Sequence, residues 1–311
     1  MYNPTVVSLF SGAGGFDLGL EQAGAKIIWA CDNFKDAVNT YRMNFKDVII
    51  VKDDIRTISS FPNADIIIGG YPCQGFSIAG KRLISDERNF LYKEFVRALS
   101  QVRPKFFIAE NVKGLLSIGN GKIIEAMVNE FAEQGYNVKY KLFNAKNVGV
   151  PQDRERVFIV GVRKDINYEY EFMEETHGEG KLPYVTLRDT IYGLPLDPVN
   201  EYPTYGFSSR YMSRNRKRGW DEVSFCIQAS GRHAPLHPHG LPMIKIDKDI
   251  WRFDGDFNRR LSFREVALIQ TFPIDFQFSG NLENKYKQIG NAVPPLLAKF
   301  IATPIIQFLN T

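Results

Sequence analysis

VVSLFSGAGGFDLGLEQAG, residues Val6 to Gly24, runs from an apolar stretch of strand length through a glycine-rich turn into an amphipathic helical pattern. Such a turn between strand and helix lets backbone approach a ligand closely and aims free N–H groups at it, and it is the opening unit of a doubly wound fold. Further apolar runs follow at Ile27 to Cys31, Val48 to Val51, Ile66 to Ile68, Phe106 to Ala109 and Val157 to Val162. Candidate crossover helices lie at Phe16 to Ala23, Asp36 to Phe45, Leu91 to Gln101 and Lys122 to Gln134. Short runs that are apolar throughout need cover on both faces, which a mostly parallel sheet flanked by helices provides. The expected fold class is α/β, doubly wound and Rossmann-like.

Beyond Arg163 the pattern dissolves into Pro, Gly, Tyr and charge, through HGEGKLPYV, LPLDPVNEYP and HAPLHPHGLP, until helical spacing resumes near Ser262. A smaller, loop-rich domain is expected over 179–281. Residues 1–178 and 282–311 would form the first domain, because Pro294 to Leu309 has the spacing of a helix that packs back on the sheet. The 311 residues, 44% hydrophobic, suffice for both cores. Cys31, Cys73 and Cys226 are too few and too scattered for a disulfide framework or a zinc site, which points to a reducing compartment. His233, His237 and His239 alternate with Pro and Gly and have no ligand-spaced carboxylate or cysteine, so no metal is expected and they read as surface or readout residues. With no basic-then-apolar leader and no run of about 18 apolar residues, a soluble cytoplasmic protein without membrane contact is expected.

Three acidic or glycine features fall at the carboxyl ends of the first strands, where doubly wound folds bind ligands. The turn Gly12-Ala13-Gly14-Gly15 comes first. Asp32, about 20 residues on, is placed to accept from ribose hydroxyls. Asp54, in KDDI, is placed to accept from an adenine amino group. On these features alone a nicotinamide-dependent dehydrogenase stays open, although GAGG is not the six-residue dinucleotide fingerprint. Ile66 to Gly70 then leads into Tyr71-Pro72-Cys73-Gln74, where a proline stiffens the turn that presents Cys73 to the crevice. The next strand ends in Glu110-Asn111-Val112, and a carboxylate closing an apolar strand is costly unless paired or in use. Gln152, Arg154 and Arg156 alternate, so in an extended segment they share one face and offer long polar donors to a polar or anionic ligand.

The 39 basic and 35 acidic residues leave a formal charge of +4, too small to decide a partner by itself. Its distribution says more. Between Glu201 and Asp221 no acidic residue occurs, while Arg210, Arg214, Arg216, Lys217 and Arg218 are interleaved with Tyr202, Tyr205, Phe207, Tyr211 and Trp220. That pattern in a loop-rich domain suits nucleic acid, and Arg214, Arg216, Arg218 and Arg232 are the candidates for phosphate contact and base readout.

Phe10 to Gly15, Pro72-Cys73-Gln74, Glu110-Asn111-Val112, the Gln152, Arg154, Arg156 alternation, the helical stretch Arg259 to Pro273 and Gly290-Asn291-Ala292-Val293-Pro294-Pro295 occur in one order. In that order they resemble the motifs of the cytosine-C5 DNA methyltransferases over nearly the whole chain, and the length resembles the compact bacterial enzymes of restriction-modification systems. The resemblance implies S-adenosylmethionine as methyl donor, S-adenosylhomocysteine as product, double-stranded DNA as substrate and a separate restriction endonuclease as functional partner of a monomer. It makes Cys73 the nucleophile on cytosine C6. Glu110 becomes the acid at N3 and the exocyclic amino group, Arg156 the contact to O2 that orients Glu110, and Arg154 a companion near the cysteine loop. Phe10, Gly12, Gly14, Asp32, Asp54, Leu91, Asn291 and Val293 match positions around the cofactor. Ser77 lies in the loop that resembles the family's closing loop over the flipped base, and YMSRNRKRGWDEVSFCIQASGRHAPLHPHG resembles the recognition region of members that read GGCC. Where the family usually has Pro-Pro-Cys this chain has Tyr71-Pro72-Cys73. A tRNA-methylating branch and a DNA binder that has lost catalysis share the same motifs and stay open here.

Overall fold

The chain was analysed as a computed structural model that describes residues 2–72 and 91–311. Its first half alternates strand and helix: β1 (Thr5–Leu9), α1 (Gly15–Ala23), β2 (Lys26–Asp32), α2 (Lys35–Asn44), β3 (Ile49–Lys52), β4 (Ile66–Gly69), α3 (Leu91–Val102), β5 (Phe106–Val112), α4 (Lys122–Glu133), β6 (Tyr136–Asn144) and β7 (Glu155–Arg163). The strands make one sheet in the order β3-β2-β1-β4-β5-β7-β6. β1 to β5 pair in parallel, and β7 runs antiparallel to both of its neighbours. Strand order reverses between β1 and β4, which opens a crevice at their carboxyl ends.

The expected α/β class and every expected strand are present. β4 is buried at each position, as are Phe106 to Ala109 of β5, because helices cover both faces. One face holds Phe95, Phe107, Phe131 and Tyr136, with Phe95, Phe107 and Phe131 meeting edge to face or tilted. Such aromatic contacts add about 1 kcal/mol each beyond the area buried. The last helix, α8 (Pro295–Leu309), buries Leu297, Ala298, Ile301 and Ile305, and Tyr170 donates its hydroxyl to the Ile301 carbonyl.

By compactness the chain divides into two units. One comprises Met1–Asn144, Glu155–Glu174 and Leu297–Thr311, the other Ala145–Arg154 and Glu175–Leu296. The expected division places 145–154, 175–178 and 282–296 with the sheet. They lie with the second unit because Gln152 bonds to Gln270 and Ile227 there, and Arg154 to Ile227, Gly290 and Ala292.

The second unit has little regular structure: after α5 (Leu187–Ile191) come the hairpin β8 (Ile244–Asp247) and β9 (Ile250–Arg252), then α6 (Phe263–Ile269) and α7 (Leu282–Asn291). α6 starts where the sequence marks it, at a capping box between Ser262 and Glu265. Polar groups carry much of this interior. The Arg260 guanidinium lies 3.9 Å over the Phe207 ring and donates to the carbonyls of Tyr205 and Gly206, while Arg259 pairs with the buried carboxylate of Glu265 through two bonds. His237, expected at the surface, is buried with its Nε2 3.4 Å from Glu265, and burial pushes its pKa down to about 3.

The stretch Leu282–Leu309 has the length and mean hydropathy of a membrane span. It is interrupted by the extended residue Ala292 and half of its most apolar part is buried within the protein, as in a core helix.

Candidate active site

At the carboxyl end of β1 the chain enters a left-handed run: Phe10 has φ +55°, Gly12 +55° and Gly14 +87°. For a phenylalanine that conformation costs about 1 kcal/mol or more, so the surrounding structure must hold it there. Asp32 does part of this. Its carboxylate accepts from the Gly12 N–H at 2.8 Å and from the Phe34 N–H at 2.8 Å, fastening the glycine turn to the end of β2. The glycines differ in what they require. A Cβ at Gly14 would stand 2.4 Å from the Phe45 ring, whereas one at Gly12 would meet nothing within 4 Å. Gly14 thus lies against the Phe45 ring, and Gly12 faces open space.

Asp54 sits on the neighbouring strand end, with its carboxylate held by the Arg56 Nε at 2.9 Å and Nη2 at 2.6 Å. That guanidinium keeps the Asp54 pKa below the usual carboxylate value. Leu91 opens α3, half-buried against the apolar core. These six residues belong to the first unit. Asn291, exposed at the end of α7, and Val293, buried, belong to the second.

β4 ends in two glycines. A Cβ on Gly69 would come within 2.9 Å of the Leu9 carbonyl, and one on Gly70 within 3.1 Å of the Glu110 carboxylate. Only glycine lets the chain leave the sheet this close to β5. Asn111 then ties the exit down by donating its side-chain amide to the Tyr71 carbonyl at 3.1 Å. Sequence reasoning had given Asn111 no role; its place after a carboxylate at a strand end was the available signal. Tyr71, standing where the family usually has proline, is 2% exposed and packs its ring against Phe95 and Tyr92. Packing thus fixes a residue that proline would have fixed by its ring. Cys73 and Ser77 lie outside the described residues.

Glu110 is 9% exposed near the end of β5. In the antiparallel register Val112 faces Arg156, so Arg156 shares a face with Glu110 one step along the diagonal. Its Nε lies 3.0 Å from the carboxylate, and its Nη1 donates to the Glu155 carbonyl. The arrangement leaves an oriented carboxyl at the ligand end of the sheet with a fixed positive partner.

Arg154 is buried in the second unit. Its side chain is 1% exposed and donates to the carbonyls of Ile227, Gly290 and Ala292, the last two at the carboxyl end of α7. Arg154 thereby donates to carbonyls at the carboxyl end of α7, in the manner of a basic side chain that caps a helix. Arg154→Ala should lower the free energy of unfolding by about 2 kcal/mol, since the carbonyls of Ile227, Gly290 and Ala292 each lose a charged donor, although Ala292 keeps the one from Gln270. Denaturant titration tests this, and a loss below about 1 kcal/mol would contradict the capping role.

Two of the four expected DNA-reading arginines have partners within the second unit. Arg216 is 6% exposed, donates to the Tyr211 carbonyl and lies 4.8 Å over the Tyr211 ring. Arg218 pairs with Glu222 and covers the Phe225 ring at 4.2 Å. Arg214 and Arg232 are exposed and remain available to a polyanion. Lys217, counted in the basic run, is buried, and burial lowers its pKa to about 8. Among the described residues no group of three His, Cys, Asp or Glu side chains is placed to hold a metal ion.

Residues 4–307 match the family described as C-5 cytosine-specific DNA methylase. Type II methyltransferase M.BsuRI of Bacillus subtilis is 50% identical over 96% of this chain and 78% of its own length. M.BspRI of Lysinibacillus sphaericus is 49% identical over 97% of this chain and 81% of its own. Among solved structures, the Entamoeba histolytica methyltransferase EhMeth shares the fold at 18% identity, with a TM-score of 0.72 over 99% of each chain.

Proposed function

This chain belongs to the C-5 cytosine-specific DNA methylase family and is a DNA cytosine-5 methyltransferase, and on that premise we propose that it works through a covalent bond between Cys73 and C6 of a flipped cytosine. Extruding the base costs a few kcal/mol, which contacts of Arg214 and Arg232 to the DNA help to offset. The Cys73 thiolate adds to C6 and the C5–C6 electron pair becomes nucleophilic at C5. Glu110 shares a proton with N3 and accepts from the exocyclic amino group, relieving the charge that builds on the ring, while Arg156 orients Glu110 and donates to O2. Loss of the C5 proton then lets the C6–S bond break and restores the aromatic ring. When bound, S-adenosylmethionine supplies the electrophilic methyl group. Phe10, Gly12, Gly14, Asp32, Asp54 and Leu91 would hold it, and Asn291 and Val293 enter this set through the family resemblance.

The observation that carries this reading is the ion pair of Glu110 and Arg156 at the ligand end of the sheet, beside the Gly70-Tyr71 exit that leads to Cys73. Labelled methyl transfer to duplex DNA and, in parallel, to tRNA tests it. Incorporation at C5 of cytosine in duplex is expected, and label on tRNA alone would refute the DNA reading.

The target we propose is GGCC, from the likeness of the 211–240 segment to recognition regions that read it. In a panel of short duplexes, each with a different four-base site, only the GGCC duplex should be methylated efficiently. No product on that duplex would sink the assignment. The Type II names of the relatives support a paired restriction endonuclease, from which methylation would shield the host DNA.

A further inference from the structure

α1 points its amino terminus at the glycine turn, and such a terminus carries partial positive charge. In dinucleotide-binding folds that charge favours an anionic pyrophosphate. The donor used here is a sulfonium cation, for which an uncompensated helix terminus is the wrong sign. Asp17 lies in the first turn of α1 and is 0% exposed. Tyr41 donates its hydroxyl to Oδ1 at 2.8 Å, and among the described residues Oδ2 meets no donor in bonding geometry. The neighbours that act on this carboxyl are the hydroxyls of Ser8 on β1 and Tyr41 on α2, and two further acids, Asp32 at the end of β2 and Glu21 on α1 itself. A buried charge with neutral hydrogen-bonding partners projects its field with little screening.

We propose that Asp17 is a specificity-determining residue: its buried carboxylate reverses the polarity of the α1 terminus, so that the glycine-turn site favours cationic S-adenosylmethionine over its neutral product S-adenosylhomocysteine. The inference rests on the assignment of this turn to the cofactor. Burial raises the Asp17 pKa to about 6, opposed by the Ser8 and Tyr41 hydroxyls. The carboxylate is therefore mostly charged at pH 8 and mostly neutral at pH 5.

Isothermal titration of the full chain with each ligand tests this. At pH 8, Asp17→Asn should weaken S-adenosylmethionine binding about fivefold and change S-adenosylhomocysteine binding less than about twofold. Equal loss for both ligands would assign Asp17 a packing role only, and no change for either would also overturn the proposal. If the variant fails to fold, the wild type decides: its preference for the cation should decline as pH falls from 8 to 5, and a pH-independent ratio of the two affinities counts against it. Gly12→Val serves as the separate control for the site. It should abolish binding of both ligands, and if it leaves both intact the cofactor assignment itself fails.

Discussion

Cys73→Ser is expected to bind S-adenosylmethionine as the wild type does and to transfer methyl groups to DNA more than about a thousandfold more slowly. A serine hydroxyl remains protonated at any working pH, whereas a free cysteine with a pKa of about 8.5 already has a reactive thiolate fraction near neutrality. Cofactor affinity should not follow, because Cys73 is not among the residues assigned to the cofactor. Duplex DNA carrying 5-fluorocytosine sharpens the test. The C5 fluorine cannot leave as a proton does, so the wild type should accumulate a covalent protein–DNA complex and the variant should form none. A variant that retained transfer, or a wild type that formed no adduct, would remove the covalent step from the mechanism.

Replacing Glu110 separates its chemistry from its packing. Glu110→Gln keeps an acceptor for the Arg156 Nε, which lies 3.0 Å from the carboxylate, but cannot share a proton with cytosine N3. Its kcat should fall by about 10² to 10³ with cofactor affinity unchanged. Glu110→Ala removes the partner of a largely buried guanidinium, which typically costs about 3 kcal/mol or more, so this variant should also melt at lower temperature. Equal kcat in Glu110→Gln and wild type would show that the carboxyl only positions Arg156.

What was legible in the sequence follows from what each residue must satisfy. β1, β4 and β5 were plain because strands covered on both faces are apolar throughout, and α6 was marked by Ser262 and Glu265. β6 was missed. It lies at the sheet edge, and its Lys139 and Lys141 with exposed Tyr140 break up the apolar run. The hairpin of β8 and β9 escaped notice because it is short and largely exposed. The pairing of Glu110 with Arg156 could be inferred only from motif order, since the antiparallel register that joins them is not a local property. The alternation of Gln152, Arg154 and Arg156 does not lie within one strand: β7 begins at Glu155, and the Asp153 N–H bonds to Ser224 instead of continuing it. In the basic run, charge was visible but commitment was not. Nothing local marks Arg216 as buried and bound to the Tyr211 carbonyl, or Arg214 as exposed.

The ten residues from Ala145 to Arg154 belong with a unit whose remainder begins at Glu175. The second unit is therefore built from two pieces of chain, and this bears on exchanging segments between enzymes of this kind. A chimera that transplants 175–296 alone would graft a foreign helix end and foreign loops onto a resident Gln152 and Arg154 shaped to grip Ile227, Gly290 and Ala292. The exchangeable module is defined by its hydrogen-bond closure and not by a contiguous stretch of gene, so a successful swap has to carry both segments together.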